Sequence, residues 1–244
     1  MKVKRKLLIL SLCAAFLSGC AEGLVHSECE KGIGKALPQY IGPAANYDVH
    51  VEGSSGEILN GFIKHIRIEG KEVQAQNDLL LNILTIDMDG VRYNKKHEIK
   101  SIDNAVFNAT VLEPAINHFI RSGEGKKYNM TSKLTDGKIE VRFVPKVLGV
   151  HVPVSITGRP EIVNGNKINF VADKASLAKV PLPALVVNKI LAKTNPIVDM
   201  STMKIPVTLS SLTIKPGSLA VVGHTNLMNI DTSTAEAKPA TIRL

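Results

Sequence analysis

Seven histidines, His26, His50, His65, His97, His118, His151 and His224, are scattered along the 244 residues. No two stand in the HxH or HExxH spacing that aims a pair of imidazoles at one ion. Most of them fall on the polar side of a strand or helix pattern and read as exposed. Asp87-Met88-Asp89-Gly90 opens like a calcium loop but lacks the later acidic ligands and the glutamate at the twelfth position. It reads as a strand end and a turn. Gly53-Ser54-Ser55-Gly56 does not centre a serine between glycines on a strand-to-helix elbow, and reads as a flexible hairpin loop. Gly32-Ile33-Gly34 lies inside a helical pattern, without the third glycine or the preceding strand of a dinucleotide site. No carboxylate pair stands apart from the acidic residues of the polar faces. The residues therefore imply no catalytic group, no metal site and no cofactor.

Cys20 is different. Lys2, Lys4, Arg5 and Lys6 precede an apolar run, Leu7 to Leu17, which is too short to span a bilayer. Leu17-Ser18-Gly19-Cys20 follows. Charged start, short apolar core and small residues before a cysteine stand in the order of a bacterial lipobox, which they resemble. That resemblance implies a signal peptide over residues 1–19, a lipidated tether over 20–23 and an acylated (palmitate-type) Cys20. Two or more acyl chains anchor a protein stably, at about 0.8 kcal/mol per buried CH₂. The expected location is the cell envelope outside the cytoplasm, on the periplasmic face or at an outer membrane. Ala21 is not the aspartate that resembles an inner-membrane retention signal.

The formal charge is +8, the sequence pI about 9.3, and there is no Trp. Removing residues 1–19, with four basic and no acidic residues, leaves +4. A modest positive charge with aromatics at 4% suits an acidic membrane surface better than nucleic acid, which is bound through stacking rings. With Cys13 in the leader and Cys20 acylated, Cys29 has no disulfide partner. It reads as a small buried thiol on a helix stripe.

Those residues must be positioned by sheets and a few helices. Leu24, Val25, Cys29, Ile33, Ala36 and Leu37 recur at helical spacing, and Pro38 is expected to end that helix. Tyr47–Val51 and His65–Glu69 alternate as strands, and Asn77-Asp78 marks a turn. Leu79 to Met88 is apolar on both faces, as in a central strand that Asp89-Gly90 closes. Ala105, Phe107, Ala109 and Val111 share one strand face, and a helix begins at Glu113-Pro114, with Gly123 at its stop. Lys138–Phe143 alternates strictly, and Val150, Val152, Val154 and Ile156 share a face. Gly158-Arg159-Pro160 interrupts, and Asn164-Gly165-Asn166 signals a hairpin. Pro181-Leu182-Pro183 opens a third helix. Lys204–Leu209 and Leu219–Val222 read as short strands, and 232–244 as a disordered tail. The expected fold class is α+β: a long twisted antiparallel sheet with a few amphipathic helices, in one domain over 24–231.

These faces are rich in Val, Ile and Leu. A plain core needs such residues, and so does an apolar wall for acyl chains. Phe107-Asn108-Ala109-Thr110-Val111 running into Pro114–Ile120, then Val150–Ile162, then Lys179–Leu185 with its helix, resemble the LmeA family of envelope phospholipid-binding proteins. The resemblance covers residues 24 to 228. It implies a fold similar to the tubular lipid-binding superfamily, in which a long twisted sheet wraps a helix around a lipid groove. It also implies an anionic phospholipid as partner and no catalytic residues. Cys20 departs from members that use a transmembrane or plain secretory start. In a lipid-binding reading the groove lining is expected at Ile116, Phe119, Ile120, Leu182, Val186 and Ile190; Lys138, Arg142 and Arg159 could meet a headgroup but read first as a solvated strand face. A structural or adaptor lipoprotein with a solid core is the alternative, and an envelope hydrolase ranks last. Protein partners are not specified by the sequence.

Overall fold

The computed structural model describes residues 22–75, 79–95, 98–122, 124–147, 149–201, 207–227 and 241–242. The leader, Cys20, Asn77-Asp78, His97 and Gly123 lie outside them, as does most of the expected tail.

Helix α1 (Glu22–Tyr40) carries Val25, Cys29, Ile33 and Leu37 on one stripe, at i, i+4 spacing. That stripe packs on strand β1 (Asn46–Glu52). Cys29 is 4% exposed, the buried thiol its stripe implied. Pro38 does not end the helix. It sits in the last turn, and the Ile41 N–H still reaches the Leu37 carbonyl at 2.9 Å. The Gly53–Gly56 segment is not a flexible loop either. Ser54 caps a short helix α2 (Ser55–Leu59), with the Glu57 side chain reaching back to the Ser54 backbone in a capping box.

Five further strands complete a six-stranded antiparallel sheet: β2 (Phe62–Gln74), β3 (Leu80–Tyr93), β4 (Ile99–Leu112), β13 (Thr208–Lys215) and β14 (Ser218–Leu227), in the order β1-β2-β3-β4-β14-β13. Register places Ile66 and Ile68 of β2 beside Met88 and Ile86 of β3. These join α1 and α2 in one core with Val51, Ile58, Ile63 and Val91. β3 lies inside the sheet, as its apolar run implied. Its second face is open, leaving Ile83 45% exposed. Nor does Asp89-Gly90 close the strand. Gly90 takes φ +61° within it, and a Cβ there would strike the Asp103 carboxylate.

The remaining strands form a second antiparallel sheet, so the strands divide over two sheets where one long sheet was expected. Its members are β5 (Thr131–Thr135), β6 (Lys138–Phe143), β9 (Val154–Val163), β10 (Lys167–Leu177), β11 (Val180–Pro181), β12 (Val198–Asp199) and β15 (Thr241–Ile242). Thr241-Ile242 thus lies in a strand within the segment expected as a tail. A small ribbon, β7 (Lys146–Val147) with β8 (Val150–His151), extends the β6–β9 hairpin. The physical reason for the division is at β13. Turns of the second sheet meet its free edge end-on: Leu209 N–H donates to Gly165 O at 2.6 Å, and Gly137 N–H donates to Ile214 O at 3.1 Å. Among the described residues no strand lies alongside β13 to extend the ladder.

β9 also runs through Gly158-Arg159-Pro160 without interruption. Gly158 admits the Phe170 ring, which would lie 2.8 Å from a Cβ there. Pro160 stands opposite Phe170. The N–H and C=O of Phe170 both turn away from β9, to Asn195, so Pro160 owes β10 no hydrogen bond. On the other side of β9, β6 has already ended at the Gly158 partner.

Two asparagines hold helices to the edges of this sheet. Asn195, after helix α4 (Ala184–Thr194), accepts from Phe170 N–H at 2.8 Å and donates to Phe170 O at 3.0 Å. Asn117, on helix α3 (Glu113–Ser122), does the same for Ser132 of β5, at 2.6 and 2.9 Å. Glu113, one turn earlier on the same face, accepts from Leu134 N–H at 2.7 Å. Each side chain stands in for a missing strand. Asn195→Ala should lower stability by about 2 kcal/mol, because it leaves two backbone groups without a partner. Asn117→Ala should do likewise. Urea denaturation of each variant measures the loss.

Candidate functional site

Strict alternation gives β6, β9 and β10 of the second sheet one apolar face. Ile139, Val141 and Phe143 of β6 stand opposite Gly158, Ile156 and Val154 of β9. Across β9, the same residues meet Ala172, Ala175 and Leu177 of β10, with a bulge between Ala172 and Lys174. Val154, Ile156 and Phe170 are buried, while Ile139, Phe143, Ala172, Ala175 and Leu177 are only half-buried. Leu191 and Ile197, from α4 and the segment after it, pack on this face. A second apolar strip crosses the first sheet, where Ala109 of β4 pairs with Val221 and Val111 with Leu219.

Between β10 and α4 lies an open cavity of about 350 Å³. Phe170, Val171 and Ala172 form one wall, and Asn188, Leu191, Ala192 and Asn195 the other. That volume is near the lower end for a small-molecule site, and it would admit part of an acyl chain rather than a whole phospholipid.

The six residues expected to line a groove separate into two groups. Ile116, Phe119 and Ile120 lie on α3, which packs against β3, β4 and β5. Ile120 is buried, and the other two are half-buried. Leu182 precedes α4 and is half-buried, Val186 is 42% exposed, and Ile190 lies in α4 with its side chain outside the described residues. Of the five whose side chains are described, none is among the residues lining this cavity. The cavity face of α4 is instead 188, 191, 192 and 195. Asn188 and Asn195 hid it, because two polar residues broke the apolar stripe that the sequence displays. The edge-binding role of Asn195 explains one of them.

The opposite face of the second sheet is polar and electrically paired. Lys138 meets Asp173 at 2.9 Å, Arg159 meets Asp173 at 2.8 Å and Glu161 at 3.0 Å, and Arg142 meets Glu140 at 2.8 Å. The three headgroup candidates thus point away from the apolar wall and already have carboxylate partners. Hydrogen bonding to Lys138 holds the Asp173 carboxyl below its ordinary range, aided by the charges of Lys138, Arg159 and Lys174. The Arg142 guanidinium does the same for Glu140.

On the first sheet, His65 lies between Asp89 at 2.7 Å and Asp87 at 3.5 Å, so it is paired rather than simply exposed. Arg67 shares Asp87 at 3.1 Å. The hydrogen bond from His65 lowers the Asp89 carboxyl, with Asn104 assisting. Asp87-Met88-Asp89 is therefore strand surface with neighbours of opposite charge. Among the described residues, no group of three or more His, Cys, Asp or Glu could hold a metal ion. No described helix is long and apolar enough to cross a membrane.

Half-covered aliphatic walls beside helices are what a lipid-binding chain needs, and a family model for LmeA-like phospholipid binding matches residues 21–224. The chain belongs to the LmeA-like phospholipid-binding family. No curated protein and no solved structure matches it. Membership unites the α+β, sheet-rich architecture with the ordered motifs around Phe107, Val150 and Lys179.

The lowered carboxyls set an acid limit. A group whose folded pKa lies below its unfolded value, near 4, stabilises the fold above that value. The contribution is lost as pH falls through the folded pKa. Stability to urea should therefore drop between pH 5 and pH 3. Asp173→Asn should flatten that dependence, which denaturation curves across the range would show.

Proposed function

We propose that this chain is a membrane-anchored lipoprotein that holds phospholipid acyl chains against its aliphatic sheet face. In this reading it supports envelope lipid transport or homeostasis and is non-catalytic. The carrying observation is the apolar face of β6, β9 and β10, left half-covered by α4, in a member of a phospholipid-binding family. Burial of CH₂ groups on such a wall contributes about 0.8 kcal/mol each and requires no polar motif. The leader and Cys20 support acylation and a periplasmic or outer-membrane location, and the +4 charge after residue 19 supports an anionic lipid.

Mass spectrometry of gently purified protein should find co-purified phospholipid. Protein that is isolated empty and takes up no lipid from vesicles would overturn this reading in favour of a structural or adaptor role. Ala172→Trp places a large ring in the cavity and should cut bound lipid severalfold while the circular dichroism spectrum is retained. Cys20→Ser should abolish incorporation of labelled palmitate and release the protein from the membrane fraction.

A further inference from the structure

The end of the second sheet that points away from β13 combines exposed aliphatic side chains with lysines. Three pieces of chain meet there. The β6–β9 hairpin continues into the β7–β8 ribbon. β10 and β11 close in a tight turn at Ala178 and Lys179, both left-handed at φ +49° and +70°. α4 then starts two residues after β11. The adjoining 3-10 helix, Glu124–Tyr128, is tied to the same end by Val144 N–H, which donates to Tyr128 O at 2.7 Å.

Large aliphatic side chains stand out in water at this end. Val150 is 63% exposed, Val180 65% and Leu185 77%, with Val186 beside them. Exposed aliphatic residues gathered at one end mark an interaction surface. Lys126, Lys127, Lys146, Lys179 and Lys189 surround them, all exposed. None of the five enters an ion pair among the described residues, in contrast to Lys138, Arg142 and Arg159 on the sheet face. The sequence contains no acidic residue from 141 to 160 or from 174 to 198. Glu124 is the one carboxylate in the adjoining 3-10 helix.

We infer that this tip docks on an anionic lipid bilayer, with Val150, Val180 and Leu185 entering the interface and the lysines meeting acidic headgroups. Charge selects the partner. A second copy would bring five lysines without carboxylate partners among the described residues against five more, whereas an acidic bilayer attracts each at about 1 kcal/mol. α1, the first described element, packs on β1, at the edge of the first sheet opposite β13. Such docking goes beyond the proposed groove and places the open side of the apolar wall next to a lipid source.

The chain contains no Trp, so single tryptophans report position directly. Full-chain Val180→Trp and Leu185→Trp variants, mixed with vesicles of phosphatidylglycerol and phosphatidylcholine, should shift their emission to the blue. Brominated acyl chains should quench them. Asn108→Trp, on the exposed face of β4, should do neither. Adding Lys146→Gln and Lys179→Gln should raise the vesicle concentration for half the shift roughly 30-fold, from two lost contacts of about 1 kcal/mol each. Tip tryptophans that stay unquenched on vesicle-bound protein would overturn the inference. So would equal quenching on pure phosphatidylcholine, or a blue shift that follows protein concentration without lipid. A tip that stays in water on protein that still co-purifies with phospholipid would overturn docking alone and leave the groove reading standing.

Discussion

Period-two alternation along β6, β9 and β10 puts Ile139, Phe143, Val154, Ile156, Ala172 and Leu177 on one face and paired charges on the other. Water must be kept from the first set, and among the described residues α4 and the Ile197 segment pack on it. One helix cannot cover a face three strands wide. The coverage that exists depends on Asn195, which replaces a strand at the edge of β10 and so fixes where α4 ends. The first sheet is under less strain of this kind, because α1 and α2 together seal its β1–β3 region.

This imbalance links the fold to its function. A sealed core has no reason to accept a ligand, and an open aliphatic wall in water is costly until something apolar lies on it. In the proposed reading phospholipid supplies that cover, and the chain belongs to a phospholipid-binding family. The charged face behind the wall is neutralised pair by pair, which removes it from competition for headgroups. Uncompensated lysines remain at the sheet's free end, beside Val150, Val180 and Leu185. Apolar wall, apolar tip and positive rim thus belong to the second sheet, and α1 to the first.

Much was legible where local pattern and tertiary need agreed. The strict alternation of Lys138–Phe143 became β6 over the same residues, and Asn164-Gly165 became a turn with both residues left-handed. The Glu113-Pro114 start became α3. Misreadings share a cause: a residue suited to breaking an element was accommodated by a partner distant in sequence. Pro160 stays in β9 because Phe170 turns its hydrogen bonds to Asn195, 25 residues on from Phe170. Gly90 stays in β3 because Asp103 fills the space beside it. Ser54 is a different case. The Ser-x-x-Glu signature of its capping box is present in the sequence, flanked by glycines that suit a loop.

By itself the sequence determined the element types, the aliphatic character of the faces, the charge balance and the family. Each of these follows from residue identity and short-range periodicity. Tertiary structure alone decided that the strands divide over two sheets and that α3 and α4 sit apart. It also decided that the cavity lies against Asn188 and Leu191 rather than Val186. Those outcomes depend on which edges meet, and edge meetings are set by single hydrogen bonds such as Leu209 to Gly165 and Asn195 to Phe170. Such bonds join residues tens of positions apart and leave no periodic trace in the chain.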